Sequence, residues 1–242
     1  MTIPPEEQAI SDRAVAFARK NKRKISREVA DKTIFLPEES PVSVFMSGSP
    51  GAGKTETSKE LISSIATEDE GRVLRLDPDE LRDCFEEYDG SNSHLFQGAV
   101  SILIANILDH AFKHNQSFLL DGTLSSYPIA EANINRSLKK NRAVLIIFVY
   151  QRPELAWQFV QAREKTEGRK ILPEHFVEQF FGSQEVVENL KKSFGSQIQI
   201  DLLIKDNDGR TRKNHYNVSN IQAYLTPAYT KSEVRQIVGI HD

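Results

Sequence analysis

The residues Gly48-Ser49-Pro50-Gly51-Ala52-Gly53-Lys54-Thr55 follow the apolar run Val42–Met46 and precede a helical pattern. Their spacing is G-x-x-x-x-G-K-[ST], the phosphate-binding loop pattern. The chemistry requires these residue types. Glycines let backbone N–H groups close around phosphate oxygens, and the following helix, through Glu56, adds its positive end. Lys54 reaches the β- and γ-phosphates as a point charge, and the Thr55 hydroxyl suits Mg²⁺. The chain is therefore read as binding a nucleoside triphosphate. What it does with the triphosphate depends on other residues.

Phosphoryl transfer also needs a group that orients the attacking oxygen and charges that stabilise the transferred phosphate. Leu76-Asp77-Pro78-Asp79-Glu80-Leu81-Arg82 offers the best base. With Asp77 ending a strand and Asp79 opening the next helix, the Asp79 carboxylate faces the nucleotide crevice and can take a proton from a substrate hydroxyl. The competing reading makes Asp77 or Asp79 a helix cap. Arg82 is placed to hold an acceptor's phosphate, or else to pair with Asp79 one turn away. Asp121 follows the apolar Phe118-Leu119-Leu120, the pattern of a Mg²⁺ or water-orienting carboxylate; a turn aspartate before Gly122 is the alternative. Asp77, Arg82, Asp121 and Thr123 are read as the acceptor-side residues, with Thr55 and Asp121 toward the metal. Arg163 and Arg169 flank a polar connection, 166–173, suited to a lid whose arginines close on the transferred phosphate.

These residues need a scaffold that brings them together. Apolar runs at 42–46, 73–77, 117–121, 143–150 and 198–204 alternate with helical patterns at 54–65, about 93–114, about 127–140, 153 to about 165, and 174–192. A short helix is expected at 79–86. Strands that read as continuous apolar runs between helices imply a parallel sheet covered on both faces. The predicted class is a three-layer α/β/α P-loop NTPase or kinase-like fold with a mainly parallel sheet of five to six strands. In such sheets ligands sit beyond the carboxyl ends of the strands, where Gly48, Asp77 and Asp121 all lie. Asn207-Asp208-Gly209 reads as a turn into a short edge strand, and the remainder as a turn and a short helix closing the sheet. Residues 1–40 form a helical segment, with the helix at 6–32, ahead of a kinase domain at 41–242 whose lid spans about 163–173.

Composition narrows the function classes. The 242 residues are 39% hydrophobic and 27% charged with a net charge of −3, which gives no global pull toward nucleic acid or an anionic membrane. Five of the six residues Arg19–Lys24 are basic, but without interleaved aromatics they read as a solvated helix face, or a docking surface for a protein partner, before a nucleic-acid patch. One cysteine, Cys84, excludes an intrachain disulfide and fits a reducing cytoplasm. The first residues lack the features of a secretory signal. Leu95–Phe112, interrupted by Gln97, Ser101, Asn106, Asp109 and His110, reads as a core helix. His94, His110 and His114 are expected on its solvated side.

The combination of Gly48–Thr55, Asp77-Pro78-Asp79-Glu80-Leu81-Arg82, Phe118-Leu119-Leu120-Asp121-Gly122-Thr123, and Arg163 with Gly168–Pro173 resembles the zeta toxin family of P-loop kinases, the toxic halves of bacterial toxin–antitoxin pairs. The resemblance covers roughly residues 40–205. It implies ATP- and Mg²⁺-dependent phosphorylation of the amino-sugar 3′-hydroxyl of UDP-N-acetylglucosamine or a related UDP-sugar, and so a block on cell-wall synthesis. It also implies Lys54 on the phosphate, Asp79 as general base, Arg163 and Arg169 on the transferred group, and a neutralising antitoxin as partner. Asp121 stands where the family usually has glutamate. The family commonly carries a His-Pro pair before an aromatic, where this chain has Phe85-Glu86 before Tyr88. The same fold would serve another acceptor: a nucleotide, a small alcohol or a nucleic-acid 5′-hydroxyl. A nucleotide-gated interaction protein would bind ATP without turnover.

Overall fold

In the computed structural model, which describes residues 4–65, 72–168, 170–206 and 211–240, the apolar runs pair into one sheet. Val42–Ser47 (β1), Leu74–Leu76 (β2), Phe118–Leu120 (β3), Ala143–Tyr150 (β4) and Gln199–Lys205 (β5) run parallel. Thr211–His215 (β6) adds an antiparallel edge. The order is β2-β3-β1-β4-β5-β6, so β1 has β3 and β2 on one flank and β4 and β5 on the other.

Side chains alternate between the two faces of a strand, and both faces here are apolar. Val44, Met46, Leu119, Ile147 and Val149 meet Leu61 and Ile62 of Lys54–Ile65 (α2). Phe45, Phe118, Ile146, Phe148, Ile200 and Leu202 point the other way into the larger core. That core is shared with Pro5–Val29 (α1), Gln97–Lys113 (α3), Tyr127–Leu138 (α4), Pro153–Glu167 (α5) and Pro173–Phe194 (α6). The result is the expected α/β/α layering.

The boundaries differ at informative places. The strands expected at 73–77 and 117–121 stop at Leu76 and Leu120, leaving Asp77 and Asp121 just beyond the pairing. The short helix expected at 79–86 is a 3-10 turn, Glu80–Cys84. The N-terminal helix ends at Val29, and Asp31 then closes a turn by accepting hydrogen bonds from Thr33. The last helix, Lys231–Ile237 (α7), packs on α5 and α6 instead of closing the sheet. The turn expected at Asn207–Gly209 lies outside the described residues.

α1 is an integral layer. Ala14, Ala18 and Ile25 are buried in the larger core, and Ser26 Oγ donates to Asn106 Oδ1 of α3 at 3.0 Å. Arg19, Lys20, Arg23 and Lys24 remain exposed on its outer face, as a solvated face requires. Ser93–Lys113 is long and apolar enough to cross a membrane, yet Leu103, Ile107 and Leu108 are fully buried in the core.

His110 and His114 depart from the expected solvated position. Both are half-buried, with ring centroids 4.4 Å apart. Burial lowers the affinity of each for a proton, and the nearby Lys32 and Lys113 lower it further. A histidine that binds its proton less tightly when folded adds stability above its unfolded value, near 6.5, and loses it as pH falls. The melting temperature is expected to drop between pH 7 and pH 5. His110→Gln should flatten part of that slope, as read by thermal denaturation at several pH values.

Candidate active site

The loop after β1 is shaped by two close backbone contacts. Gly48 has φ +139°, and a Cβ there would lie 2.2 Å from the Val149 carbonyl oxygen at the end of β4. Gly51 has φ +72°, and a Cβ would lie 2.1 Å from the Ala156 oxygen of α5. Any side chain would force the loop off both elements. Ser49, Pro50 and Ala52 are buried between them, while Gly53, Lys54 and Thr55 are half-buried and Glu56 is exposed. Lys54 Nζ donates to the Gly48 and Ser49 carbonyl oxygens at 3.0 and 2.7 Å. Its ammonium therefore lies folded over the loop. The Thr123 carbonyl accepts from Ser47 Oγ at 3.2 Å and from the Gly48 N–H at 3.4 Å. That places the segment after β3 against the start of the loop.

A second cluster forms at the ends of β2 and β3. Arg75 Nη2 donates to Asp77 Oδ2 and to Asp121 Oδ2, each at 2.6 Å, and Nη1 to Glu80 Oε1 at 2.7 Å. Ser58 of α2 donates to Asp121 Oδ2 at 2.7 Å and accepts from Arg75 Nε at 2.9 Å. One guanidinium thus gathers three acids and a hydroxyl from four segments. Burial alone would lower the Arg75 pKa, but the bonds to Glu80 and Asp121 hold it above its ordinary value. Asp77 is pushed up, chiefly by burial and also by the neighbouring Asp79 and Asp121 carboxylates; the Asp79 N–H and Arg75 oppose this.

The cap question at Asp77 and Asp79 has a clear geometric answer. Asp77 Oδ1 accepts from the Asp79 N–H at 2.9 Å, so Asp77 is the residue that fixes the turn. Asp79 makes no capping bond with its side chain. Its carboxylate, 34% exposed, accepts instead from Arg82 Nη1. Arg82 is buried, and its Nε has no hydrogen-bond partner. Of the two readings of Arg82, the pairing with Asp79 one turn away is the one the structure shows. Asp121, read from the sequence toward a metal, has Oδ2 engaged by Arg75 and Ser58. Ser58 Oγ also donates to the Thr55 carbonyl at 2.9 Å, so Asp121 sits one helical turn from Thr55. Arg163 is half-buried on α5, which runs to Glu167 and ends on Gly168 at φ +71°. The connection to α6 is short, and Arg169 within it lies outside the described residues.

A model of the zeta toxin family matches residues 25–219. The chain belongs to the zeta toxin family. Among solved structures it resembles one from the PezAT chromosomal toxin–antitoxin system of Streptococcus pneumoniae. That match has a TM-score of 0.61 at 13% identity, over 98% of this chain and 95% of the other. It also resembles the AvrRxo1-ORF1:ORF2 complex with ATP, with a TM-score of 0.58 at 14% identity over 94% and 76% of the two chains. A search of curated proteins finds no match. At these identities the structural likeness speaks for the fold.

Against the zeta toxin pattern, the replacement of His-Pro by Phe85-Glu86 has a packing explanation. Phe85 is buried, with its ring 5.5 Å from Phe17 of α1 and 5.3 Å from Phe96. Tyr88 meets Phe96 edge-on at 5.6 Å. Phe85 anchors the turn that carries Asp79 to the α1 and α3 layer, and only Glu86 faces solvent.

Arg75 is the site residue that the sequence reading missed. The signal was present: a cation between two buried leucines, Leu74 and Leu76, must find acids inside the protein. Replacing Arg75 with Met leaves Asp77 and Asp121 buried beside one another without their cation. The expected loss is about 3 kcal/mol of stability, read from the denaturant midpoint. Adding Asp121→Asn should recover part of it.

Proposed function

We propose that this zeta toxin family protein is an ATP-dependent kinase that phosphorylates the 3′-hydroxyl of UDP-N-acetylglucosamine or a related UDP-sugar. The observation that carries the reading is the Asp79 carboxylate, aimed by the Asp77 cap and Arg82 at the carboxyl edge of the same sheet that carries the loop. A nucleotide-binding protein without turnover has no need of that arrangement. ATP as donor is supported by the ATP-containing AvrRxo1-ORF1:ORF2 structure.

In this reading Gly48 to Glu56 wrap the donor phosphates with backbone N–H groups. Lys54 exchanges its two carbonyl partners for phosphate oxygens and pulls charge away from the bond that breaks. The acceptor hydroxyl gives its proton to the Asp79 carboxylate as its oxygen attacks the γ-phosphorus, and ADP leaves. Arg82 hydrogen-bonds Asp79 and lends its charge to the acceptor side. Arg163 and Arg169, on the proposed lid at 163–173, close on the transferred phosphoryl group, while Asp77, Asp121 and Thr123 shape the acceptor side. Thr55 and Asp121 are hard oxygen donors of the kind Mg²⁺ takes alongside nucleotide phosphates. When bound, the ion would neutralise charge on the β- and γ-phosphates, and Arg75 would limit Asp121 to its second oxygen or to contact through water.

Consumption of a cell-wall precursor would make the protein toxic, and its cytoplasmic action would call for a neutralising antitoxin. The toxin–antitoxin setting of the structural neighbours supports such a partner. The exposed basic face of α1 is the surface we assign to it. Deleting α1 would strip the core of α3, so charge reversal at Arg19, Lys20, Arg23 and Lys24 is the appropriate probe. Neutralisation should weaken while the melting temperature holds.

Incubation with ATP and a panel of UDP-sugars, followed by mass spectrometry, should show a sugar nucleotide gaining one phosphate. Asp79→Ala should lower turnover by about 10²- to 10⁴-fold. Full turnover in that variant would remove the base assignment, and a phosphate on a different metabolite would replace the acceptor.

A further inference from the structure

Lys205 closes β5 and is buried, with 5% of its surface exposed. Among the described residues it is the one buried lysine, and its ammonium has no ion-pair partner and no side-chain hydrogen bond. Its side chain runs to the phosphate-binding loop. A Cβ built on Gly53 would lie 3.4 Å from Lys205 Cε and 3.9 Å from its Nζ, with Glu56 Oε2 3.8 Å from the same point. The stem is packed away, but Nζ is not among the buried polar atoms that lack a partner, so the ammonium emerges at the rim of the loop, where a ligand can reach it.

The strand order says which part of a ligand it meets. The acids at the ends of β2 and β3 lie on one flank of β1, and Lys205 lies on the other. A phosphate presented to Asp79 must face the first flank, so the nucleoside end of the donor leaves toward the second. That flank is rigid. Gln151, at the end of β4, donates to the Asp206 carbonyl at 2.8 Å and accepts from the Arg152 N–H at 2.9 Å. This ties the segment after β5 to the start of α5.

We propose that Lys205 is a donor-binding residue whose ammonium hydrogen-bonds the nucleoside part, a ribose or base oxygen or nitrogen, of a nucleoside di- or triphosphate on the loop. The inference rests on the reading of Gly48–Thr55 as a triphosphate site. Two probes separate its failure from a failure of that reading: ADP, and inorganic tripolyphosphate, which lacks a nucleoside. Their binding to the full chain is measured by calorimetry for the wild type, Lys205→Met and Lys205→Arg, with melting temperatures alongside.

Lys205→Met should weaken ADP about tenfold or more, the scale of one charge-assisted hydrogen bond, and leave tripolyphosphate within about twofold. Lys205→Arg should recover part of the ADP affinity. A purely structural lysine would not distinguish the two probes. Unchanged ADP affinity in Lys205→Met overturns the proposal, and an equal loss of both ligands overturns the nucleoside assignment by making Lys205 a phosphate contact. Wild-type protein that binds neither probe overturns the triphosphate reading and the proposal with it. If Lys205→Met does not fold, Lys205→Gln decides by the same criterion.

Discussion

Three carboxylates converge where β2 and β3 end, and the arrangement depends on Arg75. Asp77 and Asp121 are both buried, and without a cation between them two like charges would share a site of low dielectric. Arg75 sits in the central pleat of β2, so its guanidinium is fixed by strand pairing to β3 before any ligand arrives. With the acids neutralised, Asp77 can spend its second oxygen on the Asp79 N–H. The position of Asp79 is thus a consequence of a salt bridge two residues away and of a strand neighbour, not of its own contacts alone.

The phosphate loop is constrained differently. Its shape comes from backbone contacts, with Val149 and Ala156 pressing on Gly48 and Gly51, and its cation rests on carbonyl oxygens of the loop itself. Those are neutral acceptors, weaker partners than a phosphate oxygen. Exchanging those two bonds for a polyanion's oxygens is therefore favourable. The acid cluster is tied to this loop through α2. Ser58, one turn beyond Lys54, bonds both Asp121 and Arg75, so the two halves of the crevice share one rigid helix.

How much of this could be read from the sequence follows from the range of each interaction. The loop was legible because its eight residues are contiguous and each has a local reason. The α/β/α layering was legible because both faces of five strands are apolar. That Asp77 and not Asp79 caps the turn was not, since either aspartate fits the same pattern until the turn is known to be 3-10. The need of Arg75 for acids was legible, but not that one of them is Asp121, 46 residues away. Phe85 looked like a departure at the acceptor site, and only the position of α1 reveals it as a core aromatic. The half-burial of His110 and His114 depended on how the linker after α1 returns past α3, which no periodicity encodes. Arg169 lies outside the described residues, so its place beside the loop stays with the proposed function.

The strand order adds a direction to the site that no motif contains. With β1 in the interior, the loop is flanked by acids at β2 and β3 and by a buried lysine at β5. A symmetric polyphosphate would feel this as a field, negative on one side and positive on the other, against which Lys54 is only a central anchor. A nucleotide is not symmetric. Its charge is concentrated at the phosphate end, which in the proposed function approaches the acid flank for transfer. Arg82 and the proposed lid arginines are then the cations available to offset that approach, while Lys205 stands on the opposite flank of β1. Separating the cation that grips the donor from those that face the acceptor lets one flank hold the nucleotide while the other reorganises around the reacting oxygen. In that arrangement Arg75 has a second consequence: by keeping Asp77 and Asp121 paired, it limits the negative charge that the incoming phosphate meets to Asp79, itself paired with Arg82.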